Sequence, residues 1–378
     1  MVYQSKREYL EKIRNRYAHA GRRYKHKILD EFCAICGYHR KHAIRLLRQQ
    51  PSTCRHRPGP TLLYKDDIKA ILKYFWLATN RLCSKLLKAA LPLWLPYYPE
   101  QRSLTPEIRK QLCQISPATI DRLLRPVRKQ YGSHGLGATR PVHTLKLQIP
   151  IRTSHRDVDR PGFIQADTVA HGGDSTEGDF VWSLTLTDVF SQWTESRAVW
   201  NKGYTNIAQA IAEIEAQLPF AILGFHVDNG GEFLNHHLWR FFHHRQPPVQ
   251  FTRTRPDHKD ENAYVEQKNW THVRQLLGYQ RIDNPDLLPT INRLYEAWNL
   301  WHNLFCPNLK LLSKEKIGSR YVRRYTAPRT PAQRLIDDST EINELVKTHL
   351  TGKFTNVNPI NLKKFIDHHQ HLILSVLR

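Results

Sequence analysis

The sequence predicts a multidomain chain in which an all-α amino-terminal region with helix-turn-helix motifs precedes an α/β core. Apolar residues recur at helical spacing up to about Tyr131. Beyond Gly162, short runs of β-branched and aromatic residues are typical of strands. Three such runs in succession, followed by alternating helices and strands, predict a mixed five-stranded sheet flanked by helices.

Charge is distributed unevenly along the 378 residues, whose net charge is +23. Residues 1–150 carry 30 basic and 9 acidic residues, residues 151–300 carry 14 and 19, and residues 301–378 carry 13 and 6. Basic flanks of this kind favour a polyanionic partner, because each neutralised phosphate releases counterions. We therefore expect nucleic acid as the partner, and a merely solvated basic surface is the alternative.

Two features bear on localisation. The most apolar stretch, Leu87 to Tyr98, contains Lys88 and two prolines and falls short of the roughly 20 residues that a spanning helix needs. The first 21 residues carry frequent charges and no apolar run, which argues against a secretory signal. We expect no membrane partner and a cytoplasmic protein.

The first predicted module covers residues 1–60, with helices over 5–18, 21–35 and 38–49. Cys33 is a small residue four positions before Gly37, which is typical of the turn in a helix-turn-helix. Three basic residues of the second helix could then face a major groove: Arg40, Lys41 and Arg45. An ordinary helical hairpin is the alternative interpretation.

Two cysteines and two histidines in this module raise the question of zinc. Only two residues separate the pair Cys33 and Cys36 from the pair His39 and His42, whereas zinc fingers place a dozen or so residues between their pairs. We therefore expect the thiols to pack in the core.

A second helical module is predicted over residues 61–131, followed by a basic linker over 132–160. It begins with helices over Tyr64–Leu77 and Arg81–Leu91. Ser116 then suits a helix N-cap and Pro117 the first helical position. This last helix is the second half of another candidate helix-turn-helix, and its candidate DNA-binding residues are Arg122, Arg125 and Arg128.

The predicted core spans residues 161–306 and begins with three strands. Its predicted strands are Phe163–Val169, Phe180–Thr187, Thr194–Val199, Ala221–Val227 and Val249–Thr252. Its predicted helices are Asn206–Gln217, Leu234–His244 and a long one from about Asp260 to Leu277.

Three carboxylates lie where adjacent strands and a facing helix could bring them together. Asp167 is in the first strand, Asp228 ends the fourth, and Glu266 is in the long helix. Carboxylates that converge repel one another unless cations lie between them, so Mg²⁺ (or Mn²⁺), as two ions, is the expected cofactor. Spacing alone does not separate these three from seven rivals: Asp174, Asp179, Asp188, Glu232, Asp257, Asp260 and Glu261.

Four ordered motifs distinguish the three carboxylates from their rivals. FIQADTV, TDVFSQWTES, FHVDNGGEFLN and RTRPDHKDENAYVEQKNW resemble the successive signatures of DDE transposases of the retroviral-integrase type, a ribonuclease-H-like superfamily that includes bacterial insertion-sequence transposases. The resemblance covers about residues 160–305. It implies that Asp167, Asp228 and Glu266 are the catalytic, metal-binding triad, and that Asp188 matches an acidic site that is usually structural.

This sequence departs from the family pattern in two places. Asp228 and Glu266 are separated by 37 residues, slightly more than is usual, and a longer loop accounts for this at little cost; Glu261 would give a shorter interval. The usual basic residue one turn after the glutamate is replaced by Trp270. We expect Lys268 or Arg274 to take over its contact with DNA phosphate.

After the core, residues 307–378 are predicted to form a basic carboxy-terminal extension. The helix Leu287–Phe305 that precedes it carries Trp298 and Trp301, for which core packing and base stacking compete. Arg323 and Arg324 lie among tyrosines in the extension and suit a phosphate backbone. Residues 340–378 are predicted as weak helices.

The resemblance implies a transposase that binds transposon-end and target DNA as a homo-oligomer. It would cleave DNA strands and then join them in a metal-dependent reaction. Two alternatives remain: a DNA-binding regulator with an inactive integrase-like core, and a ribonuclease-H-like nuclease that cuts without joining.

Overall fold

The chain divides into two compact units, Met1–Leu63 and Tyr64–Arg378. The structure is a computed structural model, which describes residues 3–48, 63–131, 158–228, 233, 236–254, 263–317 and 320–377. The segment from residue 64 to 131, for which the sequence suggests a module of its own, lies in the second unit. Most of the predicted linker over 132–160 is outside the described residues.

The first unit contains three helices around a small core. They are α1 (Tyr3–His19), α2 (Arg22–Cys36) and α3 (Arg40–Arg48), as the periodicity predicts. Gly37 ends α2 in the left-handed conformation with φ of 67°, which a residue with a side chain adopts only at a cost. Cys36 is 1% exposed and packs with Phe32 in this core, which confirms the prediction that the thiol is structural.

The second unit begins with four helices that share a core with the rest of the unit. They are α4 (Asp66–Ala78), α5 (Ser84–Trp94), α6 (Pro106–Gln114) and α7 (Pro117–Arg128). Ser116 caps α7, because its side chain accepts a hydrogen bond from the main chain of Thr119. Buried residues of α4, α5 and α7 belong to the same hydrophobic cluster as Trp298 and Trp301, which come much later in the chain.

The central sheet has five strands in the order β3-β2-β1-β4-β5. They are β1 (Phe163–Ala170), β2 (Val181–Asp188), β3 (Thr194–Trp200), β4 (Gly224–Val227) and β5 (Gln250–Arg253). The first three pair antiparallel, whereas β4 and β5 continue the sheet parallel to β1. The helices α8 (Tyr204–Glu215) and α9 (His236–His243) flank it. This is the predicted mixed sheet with the ribonuclease-H-like topology.

The two faces of the sheet differ in polarity, because successive side chains of a strand point to opposite faces. On one face, Ile164 and Ala166 of β1 pack in a cluster that includes buried residues of α8 and α9. On the other face the strands carry polar side chains that are nevertheless at most 3% exposed, namely Gln165, Thr185, Thr187 and His226. Buried polar groups require hydrogen-bond partners, so this polar face is suited to hold a functional site.

The long helix predicted from about Asp260 to Leu277 is an interrupted helix. It consists of α10 (Ala263–Lys268), a π-helical segment (Asn269–Arg274) and α11 (Gln275–Leu277). The difference matters because a π-helical segment has i to i+5 hydrogen bonds and therefore turns the residues beyond it away from their α-helical directions.

Helix α12 (Leu288–Phe305) runs along the free edge of β3. Three of its asparagines each accept a hydrogen bond from the N–H of one β3 residue and donate another to the carbonyl of the same residue, over distances of 2.7 to 3.2 Å: Asn292 with Ala198, Asn299 with Ser196, and Asn303 with Thr194. These amides satisfy main-chain groups that an edge strand otherwise leaves open. Trp298 and Trp301 are 2% and 1% exposed, which confirms core packing for both.

The carboxy-terminal extension forms a hairpin and three helices. The hairpin strands are β6 (Leu311–Ile317) and β7 (Arg320–Tyr325), and the helices are α13 (Pro331–Asp337), α14 (Glu344–Asn356) and α15 (Pro359–Val376). The last two helices pack into the large core through residues such as Leu350 and Ile366. No helix in the described ranges combines the length and apolarity needed to cross a membrane.

Candidate active site

Asp167 lies in β1, and Asp228 directly follows the last residue of β4, which is parallel to β1. Ala166 of β1 pairs with Val227 of β4, so each aspartate is the residue that follows a member of this pair. In a sheet, side chains at matching positions point to the same face and neighbouring strands lie about 4.8 Å apart. The register therefore places Asp167 on the polar face and Asp228 next to it in the sheet, directly after the end of β4.

Glu266 lies on α10, the helix that covers this face. The N–H of Val265 donates to Oε1 of Gln165 at 3.4 Å, and the side chain of Val265 is fully buried. Gln165 precedes Asp167 by two residues and shares its face of β1. The neighbouring Glu266 is exposed, so its side chain lies at the surface of the helix.

Asn269 connects the helix to the first aspartate. Its Nδ2 donates to Oδ2 of Asp167 at 2.7 Å, and Oδ1 of Asp167 accepts from the N–H of Thr168 at 2.8 Å. Asn269 follows Glu266 by three residues, which places both on one side of the helix. Oδ1 of Asn269 is buried and has no hydrogen-bond partner among the described residues.

The donor set is suited to a hard divalent cation. Three carboxylates and an unpartnered amide oxygen are the ligand types that Mg²⁺ and Mn²⁺ prefer. The described residues nevertheless contain no group of three or more His, Cys, Asp or Glu side chains close enough to hold a metal ion. The residues thus fit a divalent cation by chemistry and strand register, while the three carboxylates do not form a closed ligand cage.

Asp188, the rival carboxylate in the third motif, has a structural position. It is fully buried and accepts hydrogen bonds from the N–H of Gly162, the N–H of Ser191 and the hydroxyl of Ser191 at 2.6 to 2.9 Å. Burial raises the pKa of Asp188 to about 6, against these hydrogen bonds. Other rivals lie outside the described residues: Glu232, Asp257, Asp260 and Glu261. Asn229–Gly231 and Asn262 of the motifs also lie outside the described residues.

The expectation for Lys268 is wrong. Lys268 is only 5% exposed, so its ammonium group cannot reach a DNA phosphate. Burial lowers the pKa of Lys268 to about 8, and Arg334 lowers it further. Arg274 is also engaged: its guanidinium donates to the carbonyls of Ala170 at 3.1 Å and Gly278 at 3.2 Å. Of the two predicted substitutes for the missing basic residue, Lys268 is therefore withdrawn from solvent and Arg274 is bound to main-chain carbonyls.

The remaining candidate DNA-binding residues differ in availability. On α3, Arg40 pairs with Asp30, whereas Lys41 and Arg45 are exposed. On α7, Arg122 and Arg125 are exposed. Arg128 of the same helix is engaged instead: it pairs with Asp121 at 2.5 Å and packs over the ring of Trp76. On the hairpin, Arg323 and Arg324 are exposed.

Asn269 was missed by the sequence analysis, although its position could have indicated it. Three residues after Glu266 is a helical spacing, and a polar residue there faces the same way as the glutamate. The asparagines of α12 were also missed. Their spacing resembles that of core positions, and only the location of the β3 edge gives them partners.

The mixed five-stranded sheet with helices around it defines the class of protein as one with a ribonuclease-H-like core. Within that class, the chain belongs to the family of the uncharacterized protein y4rM of Sinorhizobium fredii (strain NBRC 101917 / NGR234). The two are 36% identical over 330 residues, which cover 86% of this chain and 94% of y4rM. No protein-family model matches the chain.

A solved structure, the catalytic core domain of BIV integrase in crystal form I, is similar over 30% of this chain and 68% of its own, with 16% identity and a TM-score of 0.25.

Proposed function

We propose that this protein is a DDE-type transposase of the bacterial insertion-sequence kind. It would bind transposon-end DNA, cleave a strand and join the freed end to target DNA. The observation that carries this proposal is the register that sets Asp167 beside Asp228, together with the helix of Glu266 above them. The four ordered sequence motifs add support, because they coincide with these elements.

The proposed chemistry has two phosphoryl-transfer steps. In cleavage, a water oxygen bonds to phosphorus, the bond from phosphorus to the 3′-oxygen breaks, and that oxygen takes up a proton. In joining, the freed 3′-hydroxyl loses its proton and bonds to a target phosphorus, the bond from that phosphorus to the 3′-oxygen of the target strand breaks, and this leaving oxygen takes up a proton. Bound divalent cations would supply Lewis-acid activation of the phosphate and the attacking oxygen.

The residues of the chain would prepare the site for this chemistry. Asp167, Asp228 and Glu266 would hold the cations, and Asn269 orients the carboxylate of Asp167. The amide must present its NH₂ group to Asp167, because an ionised carboxylate only accepts hydrogen bonds. Exposed arginines on α3, α7 and β7 would contact the phosphate backbone of the DNA, and we propose that several copies assemble on it.

The proposal is tested with the full chain and a labelled duplex taken from the DNA that flanks its gene, in Mn²⁺. Asp167→Asn, Asp228→Asn and Glu266→Gln each remove a hard anionic ligand and nearly preserve shape. Each should abolish cleavage and joining while leaving duplex binding within about a factor of two to three of the unmodified chain, since phosphate contacts dominate affinity. Asp174→Asn is the matched control, because Asp174 is exposed beyond β1, and this variant should stay active.

Other outcomes decide between the alternatives. Binding without any cleavage by the unmodified chain would favour a regulator with an inactive core. Cleavage without joining would favour a ribonuclease-H-like nuclease. Normal cleavage by Glu266→Gln together with loss in Glu261→Gln would transfer the glutamate's role to Glu261.

A further inference from the structure

Helix α7 presents a continuous basic face opposite its buried face. Ile120, Leu124 and Val127 are buried in the core. On the opposite side of the helix, at 100° per residue, lie three exposed cations, namely Arg122, Arg125 and Lys129. No described residue forms an ion pair with any of the three. On α3, in contrast, Arg40 is neutralised by Asp30.

Side-chain contacts fix α7 to the two helices beneath it. The hydroxyl of Ser84, in α5, donates to Oδ2 of Asp121 at 2.8 Å. Arg128 packs over the ring of Trp76, in α4, with its guanidinium carbon 5.8 Å from the ring centroid. Because Asp121 and Arg128 also pair with each other, the acidic residue of α7 is kept off the basic face.

The helices beneath α7 are in turn fixed to the element that supports the sheet. Trp94 of α5 is fully buried, its Nε1 donates to the carbonyl of Phe305 at 3.0 Å, and its ring meets that of Trp301 edge to face at 5.9 Å. Both partners lie on α12, whose asparagines pair with the edge strand β3. Packed contacts therefore lead from α7 through α5, α12, β3 and β2 to β1, which carries Asp167.

From this continuous packing we infer that α7 binds the duplex at a fixed distance from the scissile phosphate and thereby determines which nucleotide is cut. A rigid scaffold positions groups more accurately than a linker does. The inference rests on the proposed function. It distinguishes α7 from α3, which lies in the other compact unit and would add affinity without determining the cut.

The test uses the full chain and the labelled duplex from the DNA that flanks its gene, in Mn²⁺. Cleavage is mapped to the nucleotide and protection is mapped by footprinting. Arg122→Ala with Arg125→Ala should remove the segment that α7 protects and lower cleavage about tenfold or more. Lys73→Ala with Lys85→Ala is the control, since it removes two exposed charges from α4 and α5. This variant should retain both the protected segment and the cleavage rate.

A second pair of variants tests whether α7 determines the position of the cut or only adds affinity for the duplex. A short Gly/Ser insertion within residues 132–157 lengthens the covalent connection between α7 and β1. If core packing positions α7, the cut should stay at the same nucleotide. A similar insertion within residues 49–62 should also leave the cut unchanged and affect only the protection due to α3.

Three results would overturn the inference: a cut that moves or scatters after the insertion in 132–157, an unchanged footprint and rate in the α7 variant, or an equal loss in the lysine control. If the unmodified chain neither binds nor cleaves the duplex, the proposed function itself fails, which is a different outcome.

Discussion

Nδ2 of Asn269 donates a hydrogen bond of 2.7 Å to Oδ2 of Asp167. The bond joins the π-helical segment to the central strand, and it orients one of the three candidate ligands before any cation binds. Groups that orient metal ligands in this way are commonly worth about 10- to 100-fold in metal affinity or activity.

We therefore expect Asn269→Ala to weaken Mn²⁺ binding and strand cleavage by about 10- to 100-fold, with unchanged affinity for the duplex. Mn²⁺ binding is measured by calorimetry and cleavage on the labelled duplex. Gln267→Ala is the control, because Gln267 is exposed on the same helix. Equal behaviour of the two variants would mean that the contact with Asp167 does not support the site.

Replacing an asparagine of α12 that pairs with the main chain of β3 should lower the stability of the protein strongly. Asn299→Leu removes both partners of the Ser196 main chain, and each buried unpaired group costs about 1–3 kcal/mol. We expect the free energy of unfolding to fall by roughly 2–4 kcal/mol in urea titrations. Arg293→Ala, at an exposed position of the same helix, should change it by less than about 0.5 kcal/mol. An unchanged free energy of unfolding in Asn299→Leu would show that the edge of β3 does not need these hydrogen-bonded pairs.

Glu195 should make stability fall as pH rises through the weakly acidic range. Burial raises the pKa of Glu195 from 4.5 to about 7, so the folded state holds the proton more tightly than the unfolded state. The resulting stabilisation is complete below about pH 4.5 and is lost as pH approaches 7. Glu195→Gln should remove this dependence and raise stability at pH 8 by up to about 3 kcal/mol.

Unfolding titrations of Glu195→Gln at several pH values measure this effect. Glu341→Gln, at an exposed site, should follow the unmodified chain at every pH. If the free energy of unfolding of Glu195→Gln changed with pH in the same way as that of the unmodified chain, the expected protonation of Glu195 would be contradicted.

The salt dependence of DNA affinity should distinguish the arginines of the hairpin, which we propose contact phosphate, from the buried Lys268. Arg323→Ala and Arg324→Ala should each reduce the slope of log affinity against log salt by about 1 if each contacts a phosphate. Lys268→Met should leave the slope unchanged, because that side chain is buried. Gel shifts at several salt concentrations measure the slopes, and a reduced slope for Lys268→Met would restore its role in DNA binding.

The shared core predicts how fragments behave. A fragment of residues 64–131 lacks α12, so Trp94 loses its partners Phe305 and Trp301 and its large apolar surface is exposed. We expect this fragment to show no cooperative thermal unfolding by circular dichroism, whereas residues 64–378 should unfold cooperatively. A sharp transition in the short fragment would mean that α4 to α7 form an independent domain.

Much of the architecture was predictable from local pattern. The change from helical to alternating periodicity near Gly162 indicated where the sheet begins, and five predicted strands correspond to β1 to β5. The ordered motifs indicated which carboxylates to compare, because motif identity carries information that spacing lacks. The interrupted helix after Glu266 was not predictable in this way, since helical periodicity does not reveal a π-helical segment.

By itself, the sequence determined most of the helices and strands and the polarity of their faces, and it indicated the three candidate carboxylates, because each of these depends on neighbours along the chain or on a local motif. Only the tertiary structure decided which buried faces meet. It placed Lys268 in the interior, gave the asparagines of α12 the edge of β3 as partner, and joined α7 to the body that carries Asp167. These outcomes depend on packing between segments distant in sequence, and local periodicity specifies that a face is buried without specifying what covers it.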